Sequence, residues 1–541
     1  MKKQLFILFW AISFGSIAQD ISVPGSVKKA MDQIDTTTIR NHIAYLADDR
    51  LLGRKPGTEG YQLAVDYVIS EFKKMGVQPA GDPGQFTQKL ILQNTKVDNG
   101  SAKAFLSDTK GNVDSLGFGI DFLPYAHPFS EKASGSGKLV FVGYGVDIPD
   151  FYSDYDGIDV SGKVVVFLAG VPDGISASTL ISHFSSAGNK MNIAAEKGAI
   201  GAVLVYPINS FPNPNPTIQS TVGVNPEKTV AYSRGFNGNL DFALTANNSF
   251  LSQLFLNSGK NLTETLTALK SRKNSSFEFP FILGASYSNS FSQFESENVV
   301  GLIPGSDSRL KNEYVVHSAH LDHVGIGRAV NGDSIYNGAH DNASGVASLL
   351  EIARIYTKGK AKPKRSVLIV LVTAEEMGLI GSAYFASNPT VLKSAIVANV
   401  NTDMPTVIAP LLSIVPLGAE HSSIMNNVKF AADYLGLEVE GDPEPEQNRF
   451  VRSDQYSFVV NGIPALHIKY GNKTNVPGFD MDAFIKTWRA KYYHQSADGM
   501  DGIFDFGAAK TYVQLNFLIS YSIAQTAARP EWNEGDLFGI K

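Results

Sequence analysis

The chain has 541 residues, of which 43% are hydrophobic and 18% are charged. At roughly 150 residues per domain, this length predicts two to four domains. The net charge of -6 and the isoelectric point near 6.0 argue against a nucleic acid as the partner. The sequence contains no cysteine, which excludes disulfides, thiolate metal ligands and a cysteine nucleophile. Any metal must therefore be held by histidines and carboxylates.

The first residues have the pattern of a secretory signal peptide. Lys2 and Lys3 precede an apolar run at residues 5–12, and small residues follow at 13, 15, 16 and 18. The alternative is a membrane anchor, but the apolar run falls short of the ~20 residues that a spanning helix needs. We therefore predict a signal peptide at residues 1–18 and a periplasmic or secreted protein. No stable membrane anchor is expected after cleavage.

Three regions of different pattern follow along the chain. Residues 38–88 have apolar residues at helical spacing, broken by a Gly/Pro-containing loop at 53–57. Short strand-like runs and turns follow residue 123, and from residue 298 apolar strands alternate with helices. The last pattern predicts an α/β fold with a mostly parallel central sheet flanked by helices. The predicted domains are an N-terminal part of the main domain (19–125), a β-rich insert (126–285) and the main domain (286–541).

Polar residues follow the predicted strands of the third region. His320 follows one strand, Glu375 and Glu376 follow the next, and Asp403 follows a third. Asp341 precedes a helix predicted at 344–356. Because ligands gather beyond the carboxyl ends of strands in such sheets, we expect these side chains to share one edge.

Each of these residues alone has a simpler explanation. A histidine at a strand end is often only hydrogen-bonded, and Asp341 could be a helix N-cap. Two adjacent glutamates at the end of a hydrophobic strand repel each other unless one binds a cation and the other receives a proton. With His494, the set has two histidines and three carboxylates besides a spare glutamate. Such a set could give each of two metals three ligands and leave room for a water.

At these positions the sequence resembles the di-zinc exopeptidases that include bacterial leucyl aminopeptidases and glutamate carboxypeptidase. The resemblance is carried by His320-Leu-Asp322, Asp341, Glu375-Glu376, Asn401-Thr-Asp403 and Tyr493-His494. It implies a zinc aminopeptidase-like (phosphorylase/hydrolase-like) fold and two zinc ions. The implied metal ligands are His320, Asp341, Glu376, Asp403 and His494, with Asp341 bridging.

The resemblance also implies the roles of residues around the metals. It makes Glu375 the general base and Asp322 a carboxylate that orients His320. Tyr493 is a candidate to stabilise the oxyanion. A cis peptide bond is expected between Asp341 and Asn342. Three other histidines near this set, His317, His323 and His340, are expected to be structural or to support the ligands.

The middle region resembles a protease-associated domain, through residues 155–164 and 194–199. This resemblance implies an insertion that splits the peptidase domain. We expect the insert to restrict access to the site; the alternative is a passive spacer.

The family resemblance implies a peptide substrate. Release of N-terminal residues, the activity of an aminopeptidase, is the preferred interpretation. A carboxypeptidase or dipeptidase would need arginines to hold a C-terminal carboxylate, for which Arg449 and Arg452 are available. A non-catalytic binding protein on the same fold is disfavoured because the whole ligand set is present. Glutaminyl cyclisation, found on related folds, typically uses one zinc. Side-chain preference and oligomeric state stay open at this level.

Overall fold

The computed structural model describes residues 23–359 and 361–539. The predicted signal peptide at residues 1–18 lies outside the described residues. Within the described ranges, no helix combines the length and the apolar character needed to cross a bilayer.

The N-terminal part is mainly helical. It contains α1 (Gly25–Asp32), α2 (Thr36–Leu46), α3 (Glu59–Met75), β1 (Gln78–Pro79) and the long strand β2 (Thr87–Asp108). The helix α3 begins where the Thr58 hydroxyl accepts a hydrogen bond from the Tyr61 N–H, and it ends at Gly76 with φ of 79°. Its buried face carries Ala64, Val68 and Phe72 at helical spacing, as the sequence predicts.

The middle part contains mostly short strands and four helices. The strands are β3 (Val113–Leu116), β4 (Phe122–Pro124), β5 (Lys132–Phe141), β6 (Asp147–Ile148), β7 (Tyr152–Ser153), β8 (Val164–Leu168), β9 (Gly201–Val205), β10 (Gln219–Asn225), β11 (Val230–Tyr232) and β12 (Phe242–Ala246). The helices are α4 (Ser178–Ser185), α5 (Ala187–Glu196), α6 (Asn248–Ser258) and α7 (Leu262–Lys270). A long strand, β13 (Phe277–Ile303), leads from this part into the last one.

The last part alternates strands and helices. Its strands are β14 (Tyr314–His320), β15 (Gly325–Val330), β16 (Asp333–Tyr336), β17 (Ser366–Val372), β18 (Ile396–Asn401), β19 (Ser413–Leu417), β20 (Glu438–Val439) and β21 (Ala465–Tyr470). Its helices are α8 (Ser344–Lys358), α9 (Ile380–Ser387), α10 (Ile424–Leu435), α11 (Gln455–Val459), α12 (Met481–Tyr492) and α13 (Phe506–Gln525).

The central sheet of the last part has the order β1-β13-β17-β14-β18-β21-β19-β20. Its four middle strands β17, β14, β18 and β21 are parallel, while β13 pairs antiparallel with β17. Every residue of β17 and β18 is buried, because helices cover both faces of the sheet. The predicted mixed α/β fold with a mostly parallel, helix-flanked sheet is confirmed.

Several hydrophobic clusters stabilise this arrangement, and two of them are the largest. One packs α2, α3, α8 and α13 against the central sheet. Another lies in the middle part and includes residues of β5, β8, β9 and β12. The strands β2 and β13 pair antiparallel over most of their length, and each runs from the central sheet into the middle part. Residue 285, the predicted end of the insert, therefore lies inside a continuous strand.

The middle part also contacts the rest through side chains. His421 lies between Asp536 and Thr179 of α4, with Nδ1 2.7 Å from the Asp536 carboxylate and Nε2 2.8 Å from the Thr179 hydroxyl. Near the end of β17, the main-chain N–H of Arg234 donates to the Gly378 carbonyl at 3.1 Å. The contact with Gly378 places the segment around Arg234 next to the glutamates that follow β17.

Candidate metal centre and active site

Three parallel strands bring the predicted ligands to one edge of the sheet. His320 is the last residue of β14, Glu375 and Glu376 follow β17, and Asp403 follows β18. His320 and Asp403 are buried, at 1% and 7% exposure, so their polar atoms depend on one another for partners. The strand-end placement that the sequence predicts is thus present in the structure.

His320 faces two carboxylates. Its Nε2 lies 3.2 Å from Asp341 Oδ1 and 3.4 Å from Asp403 Oδ1. These three side chains form a group that could hold a metal ion.

A second histidine faces the other side of the same aspartate. His494 Nε2 lies 3.2 Å from Asp341 Oδ2 and 3.0 Å from Glu376 Oε2. The two oxygens of Asp341 therefore face two different histidines. Asp341 therefore lies between His320 and His494.

The electrostatics of the cluster favour positive charge within it. Burial opposes ionisation of Asp341, but the contacts with His320 and His494 hold its pKa well below the usual range. Burial likewise opposes the charging of His494, yet Asp341 and Glu376 raise the pKa of its imidazole to about 10. Without a metal, protons on the histidines thus supply the charge that the carboxylates attract. Metal ions would replace those protons.

Glu375 differs from its neighbour in protonation. Burial, followed by repulsion from Glu376 and Asp403, raises the pKa of the Glu375 carboxyl well above its usual value, against the attraction of His320. Burial and Asp341 act in the same direction on Glu376, but hydrogen bonds from His323 and His494 lower its pKa. The adjacent glutamates therefore differ in how readily each carries a negative charge.

Asp322 contacts its neighbours differently from the implied arrangement. His320 Nδ1 lies 3.1 Å from the main-chain oxygen of Asp322, whereas the nearer carboxylate oxygen is 4.0 Å away. The Asp322 carboxylate instead accepts the main-chain N–H groups of Glu375 at 3.2 Å and of Glu376 at 3.4 Å. Asp322 thus links the turn after β17 to the end of β14.

His323 has a more direct place in the site than the sequence indicates. Its Nδ1 lies 2.7 Å from Glu376 Oε1, opposite the oxygen that faces His494. His323, Asp341 and Glu376 also form a group that could hold a metal ion. The signal in the sequence was only its position three residues after His320.

The other surplus histidines lie away from the carboxylate oxygens. His340 stacks on Phe504 at 4.0 Å, and its Nε2 lies 2.9 Å from the Ile503 carbonyl. His317 is fully buried in β14, and burial lowers its pKa to about 3. Both imidazoles serve packing.

Asp498 supports the turn that carries Asp341. Its two carboxylate oxygens accept the main-chain N–H groups of His340 at 2.9 Å and of Asp341 at 3.0 Å. The peptide bond between Asp341 and Asn342 is cis, as predicted. Nothing in the sequence singled out Asp498 for this contact.

Asp403 also has supporting contacts that sequence reasoning missed. The Ser453 hydroxyl donates to Asp403 Oδ2 at 2.6 Å. His467 Nε2 and Lys469 Nζ, both on β21, donate to the main-chain oxygen of Asp403 at 2.8 and 3.1 Å. The fourth parallel strand therefore positions the residue that follows the third.

Tyr493 lies beside the ligands rather than among them. Its ring stacks on His494 with 3.8 Å between centroids, and its hydroxyl accepts a hydrogen bond from Arg452 at 2.9 Å. Burial raises the pKa of the Tyr493 phenol, so it keeps its proton and can donate it in a hydrogen bond.

Arg54 holds together the loops that surround the site. Its buried guanidinium donates to the carbonyls of Leu321 (2.9 Å), Leu46 (2.5 Å), Asn337 (2.6 Å) and Gly338 (3.0 Å). Burial lowers the pKa of Arg54 to about 10, still high enough for it to stay charged at neutral pH. Its positive charge therefore also offsets the negative charge of the nearby carboxylates.

We expect Arg54→Met to lower the free energy of unfolding by about 3 kcal/mol, because four buried carbonyls lose their donor. Denaturant unfolding of metal-free protein would measure this. The matched control is Arg50→Met, since the Arg50 side chain is 70% exposed and contacts Asp48 and the ring of Tyr45 at the surface. We expect the control to change stability by less than about 0.5 kcal/mol. Equal effects of the two substitutions would contradict the structural role of Arg54.

The donor set fits zinc. Imidazole nitrogen and carboxylate oxygen are the ligands that zinc accepts when thiolates are absent, and the chain has no cysteine. The fold and this cluster together define an α/β protein of the metallohydrolase type.

Comparison with known proteins identifies a family domain in part of the chain. Residues 298–516 match the sequence model of peptidase family M28. Mouse aminopeptidase NAALADL1 is 36% identical over 114 residues, 20% of this chain and 14% of that protein. Leupeptin-inactivating enzyme 1 of Streptomyces exfoliatus is 28% identical over 212 residues, 38% of this chain and 44% of that protein. The chain thus carries a peptidase family M28 domain, and it spans less than half the length of these curated relatives.

A solved structure supports the same fold over more of the chain. The aminopeptidase from Aneurinibacillus sp. strain AM-1 aligns with a TM-score of 0.50 at 17% identity. The alignment covers 93% of this chain and 97% of that one. At this identity the likeness concerns the fold alone.

Proposed function

We propose that the chain is an exported zinc-dependent exopeptidase, and an aminopeptidase within that class. The observation that carries the proposal is the position of Asp341, whose two oxygens face His320 and His494 at 3.2 Å each. The names of the relatives, an aminopeptidase and a leupeptin-inactivating enzyme, support the same activity.

In this proposal the protein would hold two zinc ions, and Asp341 would be a ligand of both. His320 and Asp403 would complete one site, and Glu376 and His494 the other. Bound zinc would polarise the substrate carbonyl and lower the pKa of the attacking water. His323 would hold Glu376 in position through its 2.7 Å contact with Oε1, leaving Oε2 for the ligand role.

The chain's own residues would carry the proton transfers. Glu375 would take the proton of the attacking water and pass it to the leaving amine, a task for which its raised pKa suits it. The Tyr493 hydroxyl, held by Arg452, would donate a hydrogen bond to the developing oxyanion. Asp322 would keep the Glu375 main chain in place through its carboxylate.

The main alternative within the family is a carboxypeptidase or dipeptidase. Arg449 and Arg452 both line the cavity beside Asp403, so basic side chains that could hold a C-terminal carboxylate are present there. An aminopeptidase is the preferred activity because the negative charge of the acidic cluster would attract the positively charged free α-amine of a substrate.

The proposed organisation of the chain has two further elements. Residues 1–18 would be a signal peptide that leads to a periplasmic or secreted protein. Residues 126–285 would form an inserted protease-associated domain between the parts 19–125 and 286–541 of the peptidase domain. The contact of Arg234 with Gly378 supports a role of this insert at the mouth of the site.

Metal analysis combined with peptidase assays would test the function. We expect two zinc ions per chain and hydrolysis of amino-acid p-nitroanilides, abolished by a chelator and restored by zinc. A dipeptide amide with a free amine should be cleaved, whereas an N-acetyl dipeptide with a free carboxylate should not. Cleavage of only the N-acetyl dipeptide would overturn the aminopeptidase in favour of the carboxypeptidase. Absence of both metal and hydrolysis would overturn the exopeptidase itself.

A further inference from the structure

A cavity of about 150 Å³ lies directly beside the proposed metal centre. Asp341, Glu375 and Asp403 form one wall. The other walls carry four basic side chains: Arg449, Arg452, Lys469 and Arg489. Apart from the three residues of the metal-centre wall, Glu444 is the acidic residue that lines the cavity in the described part of the chain.

Two of the basic side chains are already neutralised. Arg489 donates through both terminal nitrogens to the two oxygens of Glu444, at 2.9 Å each. Arg449 donates to the carboxylate of Asp442, and its Nη1 lies 3.5 Å from Glu444. Two guanidinium groups and two carboxylates therefore balance one another at this wall.

The positive charge of Lys469 is not neutralised by such a carboxylate pair. The hydrogen bond that the structure describes for its Nζ goes to a main-chain oxygen, that of Asp403, at 3.1 Å. An ammonium has three donors, so Lys469 can bind a further acceptor. The carboxylates that attract it are those of Asp403 and Asp341, which are committed to the proposed metals, while Arg449 and Arg489 repel it.

Unused donors in the same walls also favour an anion. Arg449 Nε and Trp488 Nε1 are buried and have no hydrogen-bond partner among the described residues. Trp488 is 3% exposed, so solvent reaches little of it. Buried N–H groups normally have acceptors, and a bound carboxylate would supply them. Ile485 and Tyr470 add an apolar surface for an aliphatic stem.

We propose that this cavity binds the side-chain carboxylate of a glutamate or aspartate at the substrate residue whose carbonyl is attacked, with Lys469 as the residue that determines specificity. The proposal rests on the proposed function and adds its substrate class. Lys469 Nζ binds the main-chain oxygen of Asp403, next to the proposed metal centre. A substrate carboxylate bound to Nζ would therefore be close enough to that centre to belong to a short substrate side chain. The C-terminal carboxylate of a peptide has the same chemistry, so the test must separate the two sources.

Glutamyl and glutaminyl p-nitroanilides differ in one charge and have almost the same shape. We expect kcat/KM of the wild type to favour the glutamyl substrate by about tenfold or more, the effect of one charge-assisted hydrogen bond. Lys469→Gln should bring this ratio near one. Because Lys469 also binds the main-chain oxygen of Asp403, any loss of turnover from that contact should be shared by the two substrates and leave the ratio as the readout. The control Lys473→Gln should keep the wild-type ratio, since Lys473 lies outside the cavity and pairs with Glu438.

Other outcomes decide the proposal as well. A wild-type ratio of one or less would overturn it, and so would a ratio that Lys469→Gln leaves unchanged. If only N-acetyl dipeptides are cleaved and Lys469→Gln raises their KM, the bound group is a C-terminal carboxylate and the side-chain proposal is wrong.

If no substrate is hydrolysed, the proposed function fails, and calorimetry of the zinc-loaded protein with L-glutamate and L-glutamine still tests the cavity. Tighter binding of glutamate that is lost in Lys469→Gln would support it. Equal binding of the two amino acids would overturn it.

Discussion

Replacing Glu375 by glutamine is expected to lower kcat by about 10³-fold while both zinc ions stay bound. The amide keeps the size of the side chain but accepts no proton, and general acid–base catalysis contributes about 10²–10⁴-fold. Glu375 lies near His320 and Glu376 but is not one of the five proposed ligands, so the metals should remain. Steady-state kinetics with a leucyl p-nitroanilide and metal analysis of the same sample would measure both effects.

The adjacent glutamate provides the matched control for this substitution. Glu376 faces His494 at 3.0 Å and His323 at 2.7 Å, so Glu376→Gln should reduce zinc content as well as activity. The two variants should therefore differ in metal content. Turnover of Glu375→Gln within threefold of the wild type would show that another group accepts the proton.

Replacing Asp341 by alanine is expected to have the largest effect on the metal centre. Both proposed sites use this carboxylate, so its removal should weaken both and leave less than one zinc per chain after dialysis. Activity should fall below detection, since bound metal supplies the nucleophile in such a site. Zinc analysis and calorimetric titration of the metal-free protein would check the stoichiometry.

An exposed aspartate serves as control for Asp341. Asp333 lies on the nearby strand β16, is exposed, and its carboxylate accepts a hydrogen bond from the main-chain N–H of Ile335. Asp333→Ala should retain two zinc ions and full activity. If Asp341→Ala instead lost one zinc and kept the other at wild-type affinity, Asp341 would belong to a single site.

The edge of the sheet was predictable because its strands are largely apolar. β17 and β18 are buried along their whole length; β17 is apolar from Val367 to Val372, and in β18 a single polar residue, Asn399, precedes Asn401 at the strand end. A polar residue directly after such a run must lie at the carboxyl end of the sheet. His320, Glu375 and Asp403 were located in this way.

Contacts made by main-chain atoms were not predictable. Arg54 donates to carbonyls 8 to 284 residues away. Every residue has a main-chain carbonyl, so the sequence does not show which of them accepts such a hydrogen bond. Lys469 was passed over for the same reason, since its partner is the main-chain oxygen of Asp403. The strands β2 and β13 also escaped prediction as a continuous pair, because their register depends on residues 173 to 212 positions apart in the sequence.

The sequence by itself determined the chemical inventory of this protein. Without cysteine, its metal ligands could only be histidines and carboxylates, and buried strands marked which of them share an edge. Only the tertiary structure decided which of these side chains face each other. The fold turns one oxygen of Asp341 toward His320 and the other toward His494. It also leaves Lys469 beside them without a carboxylate of its own, because side-chain direction follows from packing between distant segments.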